Sequence, residues 1–284
     1  MLNPHSSSRT LFAEANFSTS TDRLIEKHVD IGACTVSYLQ SRELSGSTPV
    51  VFLHGWGISA EPYREFLNLL AQHHPVIAPD LPSFAGSSYL GFLESYGRYA
   101  EILTAFFDRL NLDRVHLVGH SFGGGISITI AAVQHKRVQS ITLIDTTGVP
   151  IGSIVEVGLR RAIEMPLQLN LPKLYLQLVE IPRVFSMNLL FNAQNVIQSL
   201  LLSIETDLRP LLPLIQAPCL LLWSKLDLTT PLSIAQELQH KIPNAQLVVV
   251  EEGFHEWALL YPEKLTTQLV NFLNHVKMID AGAK

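Results

Sequence analysis

The residues in this chain best suited to do chemistry begin with a serine. Ser121 lies in the segment GHSFG at 119–123, directly after an apolar run and before a segment of helical spacing. The G-x-S-x-G pattern is typical of a nucleophile elbow, a sharp strand-to-helix turn that exposes the serine hydroxyl. Such a turn strains the backbone by about 1–3 kcal/mol, and a side chain at Gly119 or Gly123 would collide with the neighbouring strand or helix. The sequence therefore predicts Ser121 as a nucleophile.

A serine nucleophile needs a base, and histidine is the usual base near pH 7 because its ordinary pKa is ~6.5. The chain has 11 histidines, so position must discriminate among them. His255 follows the last apolar run, in the segment EEGFHEW at 251–257. The other histidines lie in terminal segments, at predicted helix ends, on the surface, or in strands and loops where a structural role suffices. His255 is the predicted base.

The base in turn needs a carboxylate that fixes its tautomer and stabilises the imidazolium. Asp227 stands just past an apolar run, in the segment WSKLDLTTP at 223–231. Its place after a strand and before the histidine makes it the predicted acid. Ser121, Asp227 and His255 are far apart in the chain, so the fold must bring them together above one edge of a sheet.

The elements that would position these residues follow from periodicity. Several apolar runs lack polar alternation, which is typical of strands covered by helices on both faces of a mostly parallel sheet. The predicted strands are Thr35–Leu39, Val50–Leu53, Val76–Ala78, Val115–Val118, Ser140–Ile144, Cys219–Trp223 and Gln246–Val250. The predicted helices are Pro62–His73, Tyr96–Leu110, Phe122–His135, Pro231–Lys241 and Pro262–Lys277.

The alternation of strands and helices is interrupted once, which sets the predicted domain organisation. Residues 150–212 carry no good strand signal, and they are rich in Leu, Ile and Met with prolines between helical stretches. We predict a helical lid over 150–212, inserted in an α/β core made of residues 24–149 and 213–284. Residues 1–23, rich in Ser and Thr, are predicted to form a flexible arm.

From about Val50 to Lys277 the chain resembles the α/β-hydrolase superfamily, in particular its lidded esterases and lipases. The matching segments are HGWG at 54–57, DLP at 80–82, GHSFGG at 119–124, the late Asp227 segment and the final His255. Three positions depart from the motifs, because Ser83 and Ala85 replace glycines, Ser224 replaces the glycine after Trp223, and Phe254 replaces the glycine before His255. None of these changes removes a catalytic atom. The order serine, aspartate, histidine is that of the superfamily.

The resemblance implies an α/β-hydrolase fold and an acyl-enzyme mechanism without metal or cofactor. It implies an oxyanion hole made by the backbone N–H groups of Trp56 and Phe122, with Gly55 and Gly57 shaping the first loop. It also leaves an alternative acid, Asp145, because some members carry the carboxylate after the preceding strand.

The apolar lid favours a hydrophobic carboxylic ester as the substrate. The alternatives are cleavage of carbon–carbon bonds in ring-fission products, which uses a lid arginine such as Arg160, Arg161 or Arg183, hydrolysis of carrier-protein methyl esters, acyl transfer, and binding of a hydrophobic ligand without turnover. Oligomeric state is left open.

Composition excludes other classes of function. The net charge of −5, without a long basic run, argues against nucleic acid as a partner. Cys34 and Cys219 are isolated among apolar residues, which favours a reducing, cytoplasmic compartment. We find neither a secretory signal nor a run of about 20 apolar residues that could span a membrane.

Overall fold

The computed structural model describes residues 22–44 and 46–282, so the predicted arm lies outside it except for Asp22 and Arg23. A nine-stranded sheet forms its centre, in the order β1-β2-β4-β3-β6-β7-β8-β9, with β5 paired to β2. The strands are β1 (Leu24–Asp30), β2 (Cys34–Ser41), β3 (Val50–Leu53), β4 (Val76–Pro79), β5 (Ser88–Tyr89), β6 (Val115–His120), β7 (Val138–Ile144), β8 (Cys219–Ser224) and β9 (Ala245–Val250). In the run β4-β3-β6-β7-β8-β9, every pair of neighbouring strands is parallel, which confirms the predicted mostly parallel sheet.

The antiparallel edge of the sheet differs from the prediction. Strands β1 and β5 were not predicted, and both pair antiparallel with β2. Three of the seven residues of β1, LIEKHVD, are charged, and its positions alternate between more and less buried, so this strand contains no apolar run. A strand at the edge of a sheet with one face exposed to solvent requires apolar residues only at the alternate positions that face the core.

Helices cover both faces of the sheet, as the apolar strands require. The helices of the core are α1 (Arg64–Leu70), α2 (Tyr96–Arg109), α3 (Phe122–Val133), α6 (Leu232–Lys241), α7 (Trp257–Leu260) and α8 (Pro262–Gly282). Successive residues of β3 enter opposite hydrophobic clusters: Val51 packs on the face of α2, α3 and α6, and Phe52 on the face of α1 and α8. This two-sided burial explains why the strands lack polar alternation.

The segment between β7 and β8, here called the insertion (residues 150–212), is helical throughout its regular structure. It contains α4 (Ile154–Leu167) and α5 (Ile181–Glu205), and no strand occurs in these residues, all of which are described. Ser153 and Glu156 form a reciprocal capping box at the start of α4. Helix α5 is interrupted at Asn192, whose φ of −137° is not helical.

Two asparagines of α5 fasten the insertion to loops of the core. Buried Asn188 donates from Nδ2 to the carbonyl of Gly57 at 2.9 Å and accepts from the backbone N–H of Ala85 at 2.7 Å. Asn195 donates to the hydroxyl of Ser83 at 2.9 Å. Ser83 and Ala85 both have positive φ, 69° and 46°, so they keep the backbone conformation that the expected glycines would adopt.

The structure bears on two expectations about the environment of the protein. Among the described residues no helix combines the length and the apolar character that crossing a bilayer requires. Cys34 and Cys219 are both buried and unpaired, as expected of core residues, and burial raises the pKa of the Cys34 thiol to about 11.

Candidate active site

Ser121 occupies a strained turn between β6 and α3. Its φ of 51° and ψ of −116° lie outside the regions that L-residues favour, and the residue is 8% exposed. A Cβ added at Gly119 would lie 2.5 Å from the hydroxyl of Ser127 in α3, and one at Gly123 would lie 2.6 Å from the carbonyl oxygen of His54. Only glycine fits at these two positions without moving backbone, so the close contact of helix and strand depends on both.

The side chains of Ser121, His255 and Asp227 form a continuous hydrogen-bonded chain. His255 Nε2 lies 2.9 Å from Ser121 Oγ, and His255 Nδ1 lies 2.8 Å from Asp227 Oδ2. The ionised carboxylate only accepts, so Nδ1–H donates to it, and Nε2 is left to accept the serine proton. All three residues are buried.

The electrostatic surroundings of His255 favour its charged form. Burial by itself lowers the pKa of the imidazole, but the charge and hydrogen bond of Asp227 outweigh burial, with a further contribution from the charge of Glu256. The net result is a pKa above the ordinary value of 6.5. The imidazolium that would form when Ser121 loses its proton is therefore stabilised.

The two candidate acids have different partners. Asp227 contacts His255 and also accepts from the amide and hydroxyl of Thr230, both at 2.7 Å. Asp145 is fully buried, accepts from the amide of Ser224 at 2.9 Å and from the indole N–H of Trp257, and makes no hydrogen bond to His255. Burial, together with the charge of Asp227, holds the pKa of Asp145 well above its usual range. The geometry thus gives the position behind the imidazole to Asp227.

The backbone amides predicted as oxyanion donors lie in the β3 loop and at the start of α3. Within the described residues, neither the N–H of Trp56 nor that of Phe122 donates a hydrogen bond to another part of the chain. The N–H of Phe122 lies at the N-terminus of α3, a position suited to stabilise a negative charge. The Trp56 side chain is anchored, because its indole N–H donates to the carbonyl of Val196 in the insertion at 2.8 Å.

The glycines of the same loop leave room for their neighbours. A Cβ at Gly55 would lie 3.2 Å from Nδ1 of His120. Gly57 has a φ of +77°, and a Cβ there would lie 2.8 Å from the ring of Phe185 on α5. Phe185 also packs edge-on against Trp56, with ring centroids 5.3 Å apart. The loop beside Ser121 is therefore covered by an aromatic side chain of the insertion.

His120, next to Ser121, has a structural role that sequence analysis did not assign. Its Nε2–H donates to the backbone carbonyl of His255 at 3.0 Å, and its Nδ1 accepts from the hydroxyl of Tyr63 at 2.6 Å. Burial, together with the charge of His255, lowers the pKa of His120 to about 3, so the ring is neutral near pH 7. The G-H-S sequence was visible, but the partners of this histidine come from distant segments.

A second group that sequence analysis did not find connects the insertion to the loops that carry Asp227 and His255. Glu164 of α4 is 0% exposed and accepts from the backbone N–H of His255 at 3.0 Å. Arg161, one turn earlier, pairs with both Glu164 and Glu256. The only sequence signal was an Arg and a Glu three positions apart in an apolar helix, which ordinarily indicates an exposed pair.

The sequence of this chain matches a known protein family over most of its length. The family model described as "Alpha/beta hydrolase family" matches residues 50–268. The chain belongs to the alpha/beta hydrolase family. The match spans the β3 loop, Ser121, the insertion, Asp227 and His255, so the whole candidate site of this alpha/beta hydrolase lies inside it.

Similar proteins have several activities. Over 242 residues the hydrolase is 27% identical to the dihydrolipoyllysine-residue acetyltransferase component of an acetoin cleaving system from Pseudomonas putida, covering 80% of this chain but 64% of that protein's length. It is also 27% identical to a 2-hydroxy-6-oxononadienedioate/2-hydroxy-6-oxononatrienedioate hydrolase from Dechloromonas aromatica, covering 81% of this chain and 88% of the relative. A crystal structure of a putative lipase from Acinetobacter baumannii AYE superimposes with a TM-score of 0.77 at 24% identity, covering 91% of this chain and 94% of that one. These matches support the predicted α/β-hydrolase fold.

Proposed function

We propose that this alpha/beta hydrolase cleaves a hydrophobic carboxylic ester through an acyl-enzyme formed on Ser121. The observation that carries the proposal is the continuous chain of contacts from Ser121 Oγ to His255 Nε2 at 2.9 Å and from His255 Nδ1 to Asp227 at 2.8 Å. Hydroxyl, imidazole and carboxylate in this geometry form the arrangement that activates a serine for attack on an acyl carbonyl.

The proposed reaction has two halves. In the first, His255 takes the Ser121 proton as the hydroxyl attacks the ester carbonyl, and it then gives that proton to the leaving alcohol. In the second, His255 takes a proton from a water molecule as that water attacks the acyl-enzyme, and it returns this proton to Ser121 Oγ as the acyl–oxygen bond breaks and the carboxylic acid leaves. The amides of Trp56 and Phe122 are the proposed oxyanion donors, and each such donor contributes about 10²- to 10³-fold in rate.

The preference for a hydrophobic acyl group is supported by the insertion, which we propose to act as a lid. Its Phe185 lies on the Trp56–Gly57 loop beside the nucleophile turn. The other two aromatic residues of the insertion, Tyr175 and Phe191, are exposed, so we propose Phe185 as the aromatic side chain that contacts the substrate. The buried, unpaired cysteines favour a reducing cytoplasmic location for the reaction.

A second candidate, hydrolysis of carbon–carbon bonds in ring-fission products, is favoured by the likeness to the Dechloromonas enzyme. That activity would need a basic residue for a substrate carboxylate. Arg161 is already paired with two carboxylates, and Arg160 donates to the carbonyl of Ile151 at 2.8 Å. Arg183, which is exposed, is the remaining candidate on the insertion.

The test is a panel of p-nitrophenyl esters of increasing chain length together with a dienoate ring-fission substrate. We expect ester turnover that rises from acetate to a medium-chain ester and disappears in Ser121→Ala. If only the dienoate reacts, the proposed function changes from ester hydrolysis to carbon–carbon bond cleavage. Failure of both substrate types to react would contradict a hydrolytic function on this site.

A further inference from the structure

Glu164 connects the insertion to both loops that carry the catalytic partners of the serine. We propose that Glu164 is a positioning residue for the triad, an inference that rests on the proposed function of Ser121, Asp227 and His255. Its carboxylate holds the acid loop and the base loop in one arrangement, and this makes helix α4 part of the catalytic assembly.

One carboxylate oxygen joins the two loops through their backbones. Glu164 Oε1 accepts from the amide of His255 at 3.0 Å and from the amide of Leu228 at 3.1 Å. His255 is the base itself, and Leu228 directly follows the acid, Asp227. One atom therefore holds the backbone at His255 and next to Asp227, the two residues whose side chains are joined by the 2.8 Å hydrogen bond.

The second oxygen is also fully used. Glu164 Oε2 accepts from the hydroxyl of Thr229 at 2.5 Å and from the Arg161 guanidinium at 3.1 Å. Arg161 continues to Glu256, the residue after His255, through a bidentate pair at 2.5 and 3.0 Å. Burial tends to raise the pKa of Glu256, but the Arg161 charge and hydrogen bond, aided by the His255 charge, lower it to about 2. Helix α4 therefore contacts the loop of His255 at two points, through Glu164 at the His255 amide and through Arg161 at the Glu256 carboxylate.

The packing of α4 shows that Glu164 is not an ordinary core residue. Over the 14 residues of this helix, Val157 and Glu164 are the buried positions. Burying a carboxylate costs free energy unless its hydrogen-bonding capacity is satisfied. Four donors satisfy Glu164, and three of them belong to the loops of Asp227 and His255. The burial of this charge is thus tied to the position of those loops.

A loss of Glu164 would leave the amides of Leu228 and His255 without their acceptor in a buried site, so the two loops would relax. Displacement of a catalytic group by about 1 Å can cost 10²-fold in rate. The same bonds would break if α4 lifted from the core. The seated insertion is therefore the arrangement in which the base is held for proton transfer.

The experiment compares Glu164→Met, which removes all four acceptor contacts at similar volume, with Glu164→Gln, which can keep the two contacts of Oε1. Glu205→Met, an exposed position on α5, the other helix of the insertion, is the matched control. The rate of Ser121 labelling by a fluorophosphonate and the steady-state constants on a p-nitrophenyl ester are measured for each. The far-downfield proton resonance of the His255–Asp227 hydrogen bond is recorded in parallel.

We expect Glu164→Met to lower the labelling rate and kcat by about 10- to 100-fold with KM within about threefold of wild type. The downfield resonance should broaden or disappear. Glu164→Gln should recover part of the loss, and Glu205→Met should stay within about twofold. Labelling by Glu164→Met within twofold of wild type, with an unchanged resonance, would overturn the inference. So would a loss that vanishes when rates are expressed per folded molecule.

If Glu164→Met does not fold, Thr229→Val removes one donor at almost constant shape and serves in its place. It should lower the labelling rate about three- to tenfold with little change in KM, and wild-type rates would overturn the inference. Failure of the proposed function gives a different result, because Ser121 of the wild-type protein would then not be labelled at all.

Discussion

Two carboxylates at the ends of neighbouring strands compete for one role in this alpha/beta hydrolase, and single contacts decide between them. Asp227 Oδ2 lies 2.8 Å from Nδ1 of His255, whereas the carboxylate oxygens of Asp145 accept hydrogen bonds from the amide of Ser224 and the indole N–H of Trp257. Burial and the charge of Asp227 raise the pKa of Asp145, so a second negative charge behind the imidazole is disfavoured. Asp227 alone is therefore placed to orient His255.

Replacing the two acids should separate them. Asp227→Asn should lower kcat by about 10³- to 10⁴-fold, because an amide in place of the carboxylate favours the wrong imidazole tautomer and no longer stabilises the imidazolium. Asp145→Asn should cost kcat far less, although it disturbs a buried site. Steady-state kinetics on one ester, with thermal melting of both variants, makes the comparison. The opposite ranking would move the acid to Asp145.

The pH dependence follows from the direction of the His255 pKa. The base must be neutral to take the Ser121 proton, so kcat/KM should fall about tenfold per pH unit below that pKa. Because Asp227 raises the pKa above 6.5, the midpoint of the acid limb should lie above 6.5. A pH–rate profile on an ester without titrating groups measures it, and a midpoint clearly below 6.5 would contradict the proposed electrostatics.

Ser121, Asp227 and His255 lie together as the sequence predicts, because each follows a strand and the carboxyl ends of parallel strands meet at one edge of the sheet. Their catalytic roles stay predictions. Glu164 could not be predicted in this way. A glutamate in a helix is ordinarily a solvated residue, and its burial here depends on loops 64 and 91 positions further along the chain. The roles of His120 and Tyr63 were hidden for the same reason.

At the scale of elements, the turn between β6 and α3 depends on how closely that helix meets β3. Gly123 lies against the carbonyl of His54, and Gly119 lies against Ser127 of α3. Backbone cannot yield as a side-chain tip can, so an added methyl group must push the helix away from the strand. The glycines therefore set the height of Ser121 above the sheet.

An alanine at Gly123 should accordingly destabilise the protein by about 3 kcal/mol or more and lower the labelling of Ser121. Gly158, on exposed helix α4 with open space around its Cα, is the matched control. Alanine there should be neutral or stabilise by up to about 1 kcal/mol, because it improves helix propensity. Chemical denaturation of both variants gives the free energies of unfolding, and equal effects would contradict the close-contact argument.

Element boundaries show what local sequence determines and what it does not. The bounds of the apolar strands were predicted closely, because strands buried on both faces have uninterrupted apolar sequences. Strand β1 was missed because it needs β2 beside it to be a strand at all. The positive φ values of Ser83 and Ala85 were equally invisible, since the loop conformation is held by Asn188 and Asn195 of the insertion.

At the scale of the whole molecule, the core and the insertion differ in how much apolar surface they bury. The central strands of the core carry side chains close to 0% exposed, whereas most of the exposed large apolar side chains of the described residues belong to the insertion. Leu171 is 82% exposed, Leu190 72% and Tyr175 71%. Few apolar side chains of α4 and α5 are buried, so buried polar contacts such as those of Asn188 and Glu164 contribute much of the attachment of these helices.

Hydrogen exchange should therefore distinguish the two parts. Amides of α4 and of the first half of α5 should exchange much faster than those of β6 and β7, because opening the insertion exposes little additional apolar surface. Exchange followed by mass spectrometry of peptides measures this ratio. Equal protection of the insertion and the central strands would contradict a separately opening lid.

The central claim is that Ser121 is an activated nucleophile, and covalent labelling tests it most directly. A fluorophosphonate probe should add to Ser121, located by peptide mass spectrometry, with a rate that falls below the His255 pKa. Ser121→Ala should take up no label and His255→Ala very little. Absence of labelling in the folded wild-type protein, or labelling that persists in Ser121→Ala, would contradict the account.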